Sequence, residues 1–230
     1  MAQGRDIEDF QSIIGYQFAD AKLLTQALTH SSYANEHRMS KFENNERLEF
    51  LGDAVLEIIT SEFLFRKYQQ MLEGELTKFR ASIVCEPTLA NFSKEIDLGD
   101  FLMLGKGEDN SGGRFRASVL SDAVEALIGA IYLDGGIEEA RIFVESTLLK
   151  DVEQRKLFVD SKTHLQEIIQ KTSETAVEYN IVDERGPDHS KLFEVTAVHD
   201  TDIIGHGFGR SKKSAEQEAA FDAIKHMNVK

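Results

Sequence analysis

The sequence predicts an all-α domain followed by a small α+β domain of order α-β-β-β-α, and three observations predict it. Through the first two thirds of the 230 residues, apolar residues recur at three- and four-residue steps without β-like alternation. The charged run KDVEQRKLFVD, residues 150–160, has no long apolar face and reads as a linker. After it the pattern alternates at 177–181 and 193–197 and becomes extended and Gly-rich at 203–208. The expected domains are 1–155 and 160–230.

Within the first domain the periodicity predicts helices over 13–31, 46–68, 76–83, 89–98, 118–133 and 137–149. Gly15, Gly74, Gly99, the stretch GKGEDNSGG (105–113) and Gly135-Gly136 mark the breaks. GKGEDNSGG does not match GxxxxGK[ST] and follows no strand, so it reads as a loop and no nucleotide cofactor is expected. In the second domain, helices at 163–172 and 215–227 flank three antiparallel strands and pack on one face of the sheet.

Composition narrows the class. The chain has one cysteine, Cys85, a polar start and no apolar run of about 18 residues, so the sequence reads as cytoplasmic, without membrane span or disulfide. The formal net charge is −14, from 26 basic and 40 acidic residues. Alone, that argues against a nucleic-acid partner. The location of the charges decides otherwise.

Glu46, Glu49, Asp53 and Glu57 fall on one stripe of the 46–68 helix at about 100° per residue, opposite Leu51, Ala54, Val55, Ile58 and Ile59. A solvated face is the plain explanation, but the stripe lacks interspersed lysines. A second acidic pair, Asp122 and Glu125, lies at helical spacing on 118–133, beside Ala126 and Gly129. Those small residues permit close approach of another helix. Two carboxylates ~5 Å apart repel by about 3 kcal/mol at an effective dielectric of 20. A hard divalent cation, Mg²⁺ or Mn²⁺, relieves that repulsion. No HExxH or CxxC occurs, so zinc is not expected. His30, in THSS, reads as a packed or capping residue rather than a base.

The tail carries GHGFGRSKKSAEQ (205–217), with three positive charges and no negative one through 205–213. Ser211 is an expected N-cap, which puts Lys212 and Lys213 in the first turn of the last helix. Cations there oppose the helix dipole, a choice that makes sense if they meet phosphate together with the free amides. The polar loop GPDHSK (186–191) could reach a groove.

These blocks resemble the ribonuclease III family. NNERLEFLGDAVLE (44–57) looks like its signature helix. LTHSSYANE, EGELTKFRASIV, LGKGEDNSGG and LSDAVEALIGAIYLDGG match further blocks in the same order. The tail resembles a double-stranded RNA-binding domain through KTHLQE, GPDHSKLF and GFGRSKKSAEQEAA.

The resemblance implies a homodimeric, Mg²⁺-dependent endoribonuclease, with Mn²⁺ able to substitute. It would cut both strands of double-stranded RNA, leave 5′-phosphate and 3′-hydroxyl ends, and process structured precursor rRNA and mRNA. Glu49, Asp53, Asp122 and Glu125 match the metal carboxylates, Asp53 and Glu125 being those most often called catalytic. Glu46 and Glu73 match supporting acidic positions. Gln166, Glu167, His189, Lys191, Arg210, Ser211, Lys212 and Lys213 are the expected RNA contacts. Phe50 sits beside the acidic stripe, away from the aliphatic face, and matches a position that packs into a partner subunit. A duplex binder without cleavage is the competing reading. Six acidic positions kept at a repulsive cost argue against it.

Overall fold

The computed structural model describes residues 7–150, 152, 161–171, 173, 175–185, 191–209 and 211–228. They fall into two compact units, Met1–Val152 and Glu153–Lys230. Most of the expected linker, His189 and Arg210 lie outside the described residues.

The first unit is helical: α1 (Ile7–Ile14), α2 (Ala21–Ala27), α3 (Ser31–Glu36), α4 (Glu46–Lys67), α5 (Glu73–Val84), α6 (Glu86–Glu95), α7 (Leu98–Phe101), α8 (Lys106–Asn110), a 3₁₀ turn (Gly113–Phe115) and α9 (Ala117–Ser146). Leu56 and Ile59 of α4, Val124, Leu127 and Ile131 of α9, and Ile83, Leu89 and Phe92 share one core. Gly136, at φ 82°, interrupts α9 where the glycine pair marks a break.

The single helix expected over 13–31 is three helices. Gly15 turns the chain at φ 68°. Asp20 then caps α2, its side chain accepting from the Lys22 N–H, and His30 caps α3. Asp134 on α9 secures the turn by accepting from the Tyr16 hydroxyl (2.8 Å) and the Ala19 and Asp20 N–H groups (2.9 and 2.8 Å). Apolar spacing alone does not reveal such a turn, because its anchor, Asp134, comes from a distant helix. The stretch 105–113 is also more ordered than a loop. It forms α8 and the 3₁₀ turn, where the Arg114 guanidinium bridges both Asp109 oxygens and donates to the Gly99 and Leu102 carbonyls.

In the second unit, α10 (Ser161–Gln170) precedes β1 (Glu178–Arg185), β2 (Leu192–His199), β3 (Asp202–Gly209) and α11 (Lys212–Asn228). The sheet is antiparallel, in order β1-β2-β3. Leu165 and Ile169 of α10, Val195 and Ala197 of β2, and Ala215, Ala219, Ala223 and Ile224 of α11 form its core. The glycines of β3 set the depth of packing. A Cβ on Gly207 would stand 2.2 Å from the Ala219 nitrogen and 2.3 Å from the Ala215 oxygen.

Gly207→Val should therefore destabilise the second unit by about 3 kcal/mol or more through overpacking against backbone. Amide hydrogen exchange should accelerate in β2 and α11 and stay at the wild-type rate in α4 and α9.

Candidate functional site

Helices α4 and α9 cross with their backbones almost touching. A Cβ on Gly52 would lie 1.7 Å from the Glu125 carbonyl oxygen, and one on Gly129 would lie 2.3 Å from that of Leu48. Only glycine fits at either position. The crossing faces the first turns of α4 toward Asp122 and Glu125 of α9. Glu49, Asp122 and Glu125 bring carboxylate oxygens within 4.8 Å of one another, all three half-buried.

Asp53, expected with them, is exposed. One turn along α4, it falls outside that 4.8 Å group, although its charge acts on Glu49 and Glu125. Glu46 is exposed beside the cluster and raises Glu49. Glu73 is exposed in the first turn of α5, where it accepts from the Thr77 hydroxyl (3.0 Å). Glu57, on the same stripe, faces Arg80 at 4.0 Å.

The electrostatics follow from this crowding. Burial pushes Glu125 up to about 8, and the charges of Asp53, Asp122 and Glu49 add to it. Glu49 is raised by burial, then by Asp122, Glu46 and Asp53. Burial also raises Asp122; the Ser121 hydroxyl lowers it, Glu86 raises it and His30 lowers it. A set of hard oxygen donors that cannot all ionise unaided fits a divalent cation. Glu86, the first residue of α6, and His30 are neighbours that the acidic pattern of α4 and α9 does not reveal.

On the second unit, Ser211 caps α11 as expected, its hydroxyl accepting from the Ser214 N–H at 3.1 Å. Lys212 and Lys213 are exposed in the first turn, and the Lys212 ammonium stands 5.9 Å from the centre of the Phe193 ring. Glu167 is exposed. Gln166, expected to face outward, is half-buried and accepts from the Val177 N–H at 3.1 Å. It ties α10 to the start of the sheet. Lys191 pairs with Glu184 at 2.5 Å.

A helical unit with a half-buried carboxylate cluster precedes an α-β-β-β-α unit with lysines at a helix start, the arrangement of a nuclease-type helical domain followed by a duplex-binding module. The family models agree. Ribonuclease-III-like matches residues 20–152, and the double-stranded RNA binding motif matches 161–227. A Ribonuclease 3 from Listeria welshimeri is 47% identical over 222 residues, covering 96% of this chain and 97% of its own. One from Bacillus cereus is 49% identical over 220 residues, covering 95% and 90%. The ribonuclease III nuclease domain of Campylobacter jejuni superposes with a TM-score of 0.59 at 43% identity, over 64% of this chain and 98% of that one. The chain belongs to the ribonuclease III family, endoribonucleases of double-stranded RNA. No helix among the described residues is long and apolar enough to cross a membrane.

The raised Glu125 carboxyl sets the sign of the pH dependence without metal. Its proton is bound more tightly in the folded chain than at the ordinary value of 4.5. The stabilisation from that proton is full below 4.5 and is lost as pH rises through about 8. Melting in EDTA should fall from about pH 5 to about pH 8, and added Mg²⁺ should restore more stability at the higher pH. A first-unit melting temperature that climbs over this range would contradict the cluster.

Proposed function

We propose that residues 1–155 cleave double-stranded RNA at the α4–α9 crossing and that residues 160–230 hold the duplex. The observation that carries this reading is the group of Glu49, Asp122 and Glu125 oxygens within 4.8 Å. These three, with Asp53, would hold Mg²⁺, or Mn²⁺ in its stead. When bound, the ion supplies a Lewis acid for the scissile phosphate and a water of lowered pKa. The protein contributes preorganisation: two helices locked at Gly52 and Gly129 keep the donors from relaxing apart.

Asp53 and Glu125 are the pair assigned to the chemistry. Glu125 would bind a cation in its deprotonated form, and Asp53, exposed one turn along α4, would reach the same ion from the solvent side. Glu46 and Glu73 support from the surface. Products would carry 5′-phosphate and 3′-hydroxyl ends, and structured rRNA and mRNA precursors are the natural substrates. Glu167, Lys191, Ser211, Lys212 and Lys213, with His189, Arg210 and the amide of Gln166, would meet the A-form minor groove and its phosphates. A single cysteine suits a reducing cytoplasm.

The active species in this reading is a homodimer. Phe50, next to Glu49, is 82% exposed, and Ile58 and Phe65 follow it on α4 at 58% and 73%. A groove of about 610 Å³ between α4 and α5 is lined by Ile58, Leu64, Phe65, Met71 and Leu76. Burying a phenylalanine is worth roughly 1.5–3 kcal/mol. The Campylobacter jejuni nuclease domain is described with a region involved in dimer formation. Two-fold pairing through Phe50 would give one carboxylate cluster for each RNA strand.

Glu125→Ala, assayed with a long perfect RNA duplex and Mg²⁺, should lose more activity than the roughly hundredfold typical of an outer-shell change. Duplex binding should persist, and wild-type turnover would remove the site assignment. Phe50→Asp would bury a charge in the paired face, so it should sediment as a monomer with little double-strand cleavage. A wild-type chain sedimenting as a monomer at micromolar concentration would overturn the dimer.

A further inference from the structure

The exposed side of α4 extends beyond Phe50 in both directions. At about 100° per residue, Arg47, Phe50, Ala54, Ile58, Ser61 and Phe65 fall within an arc of about 80°. At 1.5 Å per residue this stripe runs about 27 Å along the helix. Its two ends differ in charge.

At the first end stands Phe42, 56% exposed although its backbone is held firmly. The Gln26 amide donates to the carbonyls of Phe42 and Asn44, both at 3.1 Å. The Ser40 N–H donates to the Glu43 carboxylate at 2.6 Å, and the Glu43 N–H returns to the Ser40 carbonyl at 2.9 Å. Two cations flank the ring: the Lys41 ammonium lies 5.2 Å from its centre and the Arg47 guanidinium 5.7 Å. Among the described residues neither cation is in an ion pair with a carboxylate. By contrast, Arg66, Arg80, Arg114, Arg116 and Arg141 of the same unit all have acidic partners.

At the other end α4 turns into α5. Leu72, just before α5, is 74% exposed. Glu73, the next residue, is exposed and accepts from the Thr77 hydroxyl. Among the described residues it has no cationic partner, whereas Glu57 and Glu62 of α4 are met by Arg80, Arg66 and Arg141. One end of the stripe therefore carries unneutralised cations around an exposed aromatic. The far end carries an unneutralised carboxylate beside an exposed leucine. Such a face is self-complementary under a two-fold axis through its middle. Antiparallel pairing of two α4 helices sets opposite charges together, while parallel pairing would set Arg47 against Arg47.

We propose that the Lys41–Phe42–Arg47 cluster is a second anchor, beyond Phe50, of an antiparallel contact between two copies of this chain: Arg47 pairs with Glu73 of the second copy and Phe42 packs by its Leu72. This rests on the reading of the active species as a homodimer. The two-fold axis forms each contact twice, so the cluster fixes the direction of pairing as well as adding to it.

Charge reversal in the full-length chain tests the contact. Arg47→Glu alone sets Glu against Glu in both contacts, and Glu73→Arg alone sets Arg against Arg. Each variant should raise the dimer dissociation constant by ~100-fold or more, since like charges brought together across an interface cost several kcal/mol. Both positions are exposed, so the circular dichroism of each variant should match wild type. An equimolar mixture of the two variants should recover the dimer, because a mixed pair restores one Arg–Glu contact on each side of the axis. No contact within a single chain predicts that recovery. Phe42→Ala should weaken the wild-type dimer ~10-fold or more. Sedimentation equilibrium reads all four. The second anchor is overturned if either reversal variant pairs as wild type does, if the mixture stays monomeric, or if Phe42→Ala leaves the dimer unchanged. A wild-type chain that is itself monomeric at micromolar concentration removes the underlying homodimer, whereas a wild-type dimer without recovery in the mixture removes only this anchor.

Discussion

The contact between Gly52 and Gly129 is the constraint on which the first unit depends. Two helices normally pack with axes 8–10 Å apart because their side chains intervene. Here the Cα of each glycine lies against the other helix's backbone, leaving no room for a single methyl group. That approach sets Glu49 opposite Asp122 and Glu125, with three oxygens close enough for one ion. The surrounding core of α4, α6 and α9 supplies the apolar burial that holds the carboxylates in their mutual repulsion.

The same logic orders the electrostatics of the whole chain. A net charge of −14 is an odd composition for a protein of double-stranded RNA. In the first unit part of the excess is concentrated at one site, where burial pushes Glu125 up to about 8 and the neighbouring carboxylates add to it. In the second unit many acids are engaged internally. Glu218 and Asp222 of α11 accept from the N–H groups of Phe208 and His206 on the edge strand β3, and Glu216 pairs with Lys162. These acids close the sheet edge. The exposed start of α11 is left to Ser211, Lys212 and Lys213. Net charge was a poor guide because the field at a surface depends on which charges are already neutralised.

Some side chains with an expected surface role also have partners within the fold: the Gln166 carbonyl accepts from the Val177 N–H, and the Lys191 ammonium pairs with Glu184. Both are polar residues on amphipathic or loop segments, where sequence cannot separate a contact within the fold from one beyond it. His30, read as a packed or capping residue, caps α3, its side chain accepting from the Ser32 N–H.

What the sequence alone determined was the class of each half and the identity of the acidic residues, since these rest on local periodicity and on ordered motifs. Helices α4 and α9 and the three strands lie within a few residues of where apolar spacing put them, and Ser211 caps α11 as its position implied. The tertiary structure decided the rest. Gly15 marked a break in the sequence, but what secures it came only from the fold: Asp134, more than a hundred residues away, accepts from Tyr16, Ala19 and Asp20. The tertiary structure brought Glu49 within 4.8 Å of both Asp122 and Glu125 and left Asp53 outside that group, although among the neighbouring charges Asp53 acts most strongly on Glu125, because the crossing point and angle of two helices fix which turn faces which. It also set the protonation of Glu125, which depends on burial and on charges from another helix. A one-dimensional pattern records which face of a helix is polar. Only three-dimensional packing brings two such faces to the distance at which chemistry occurs.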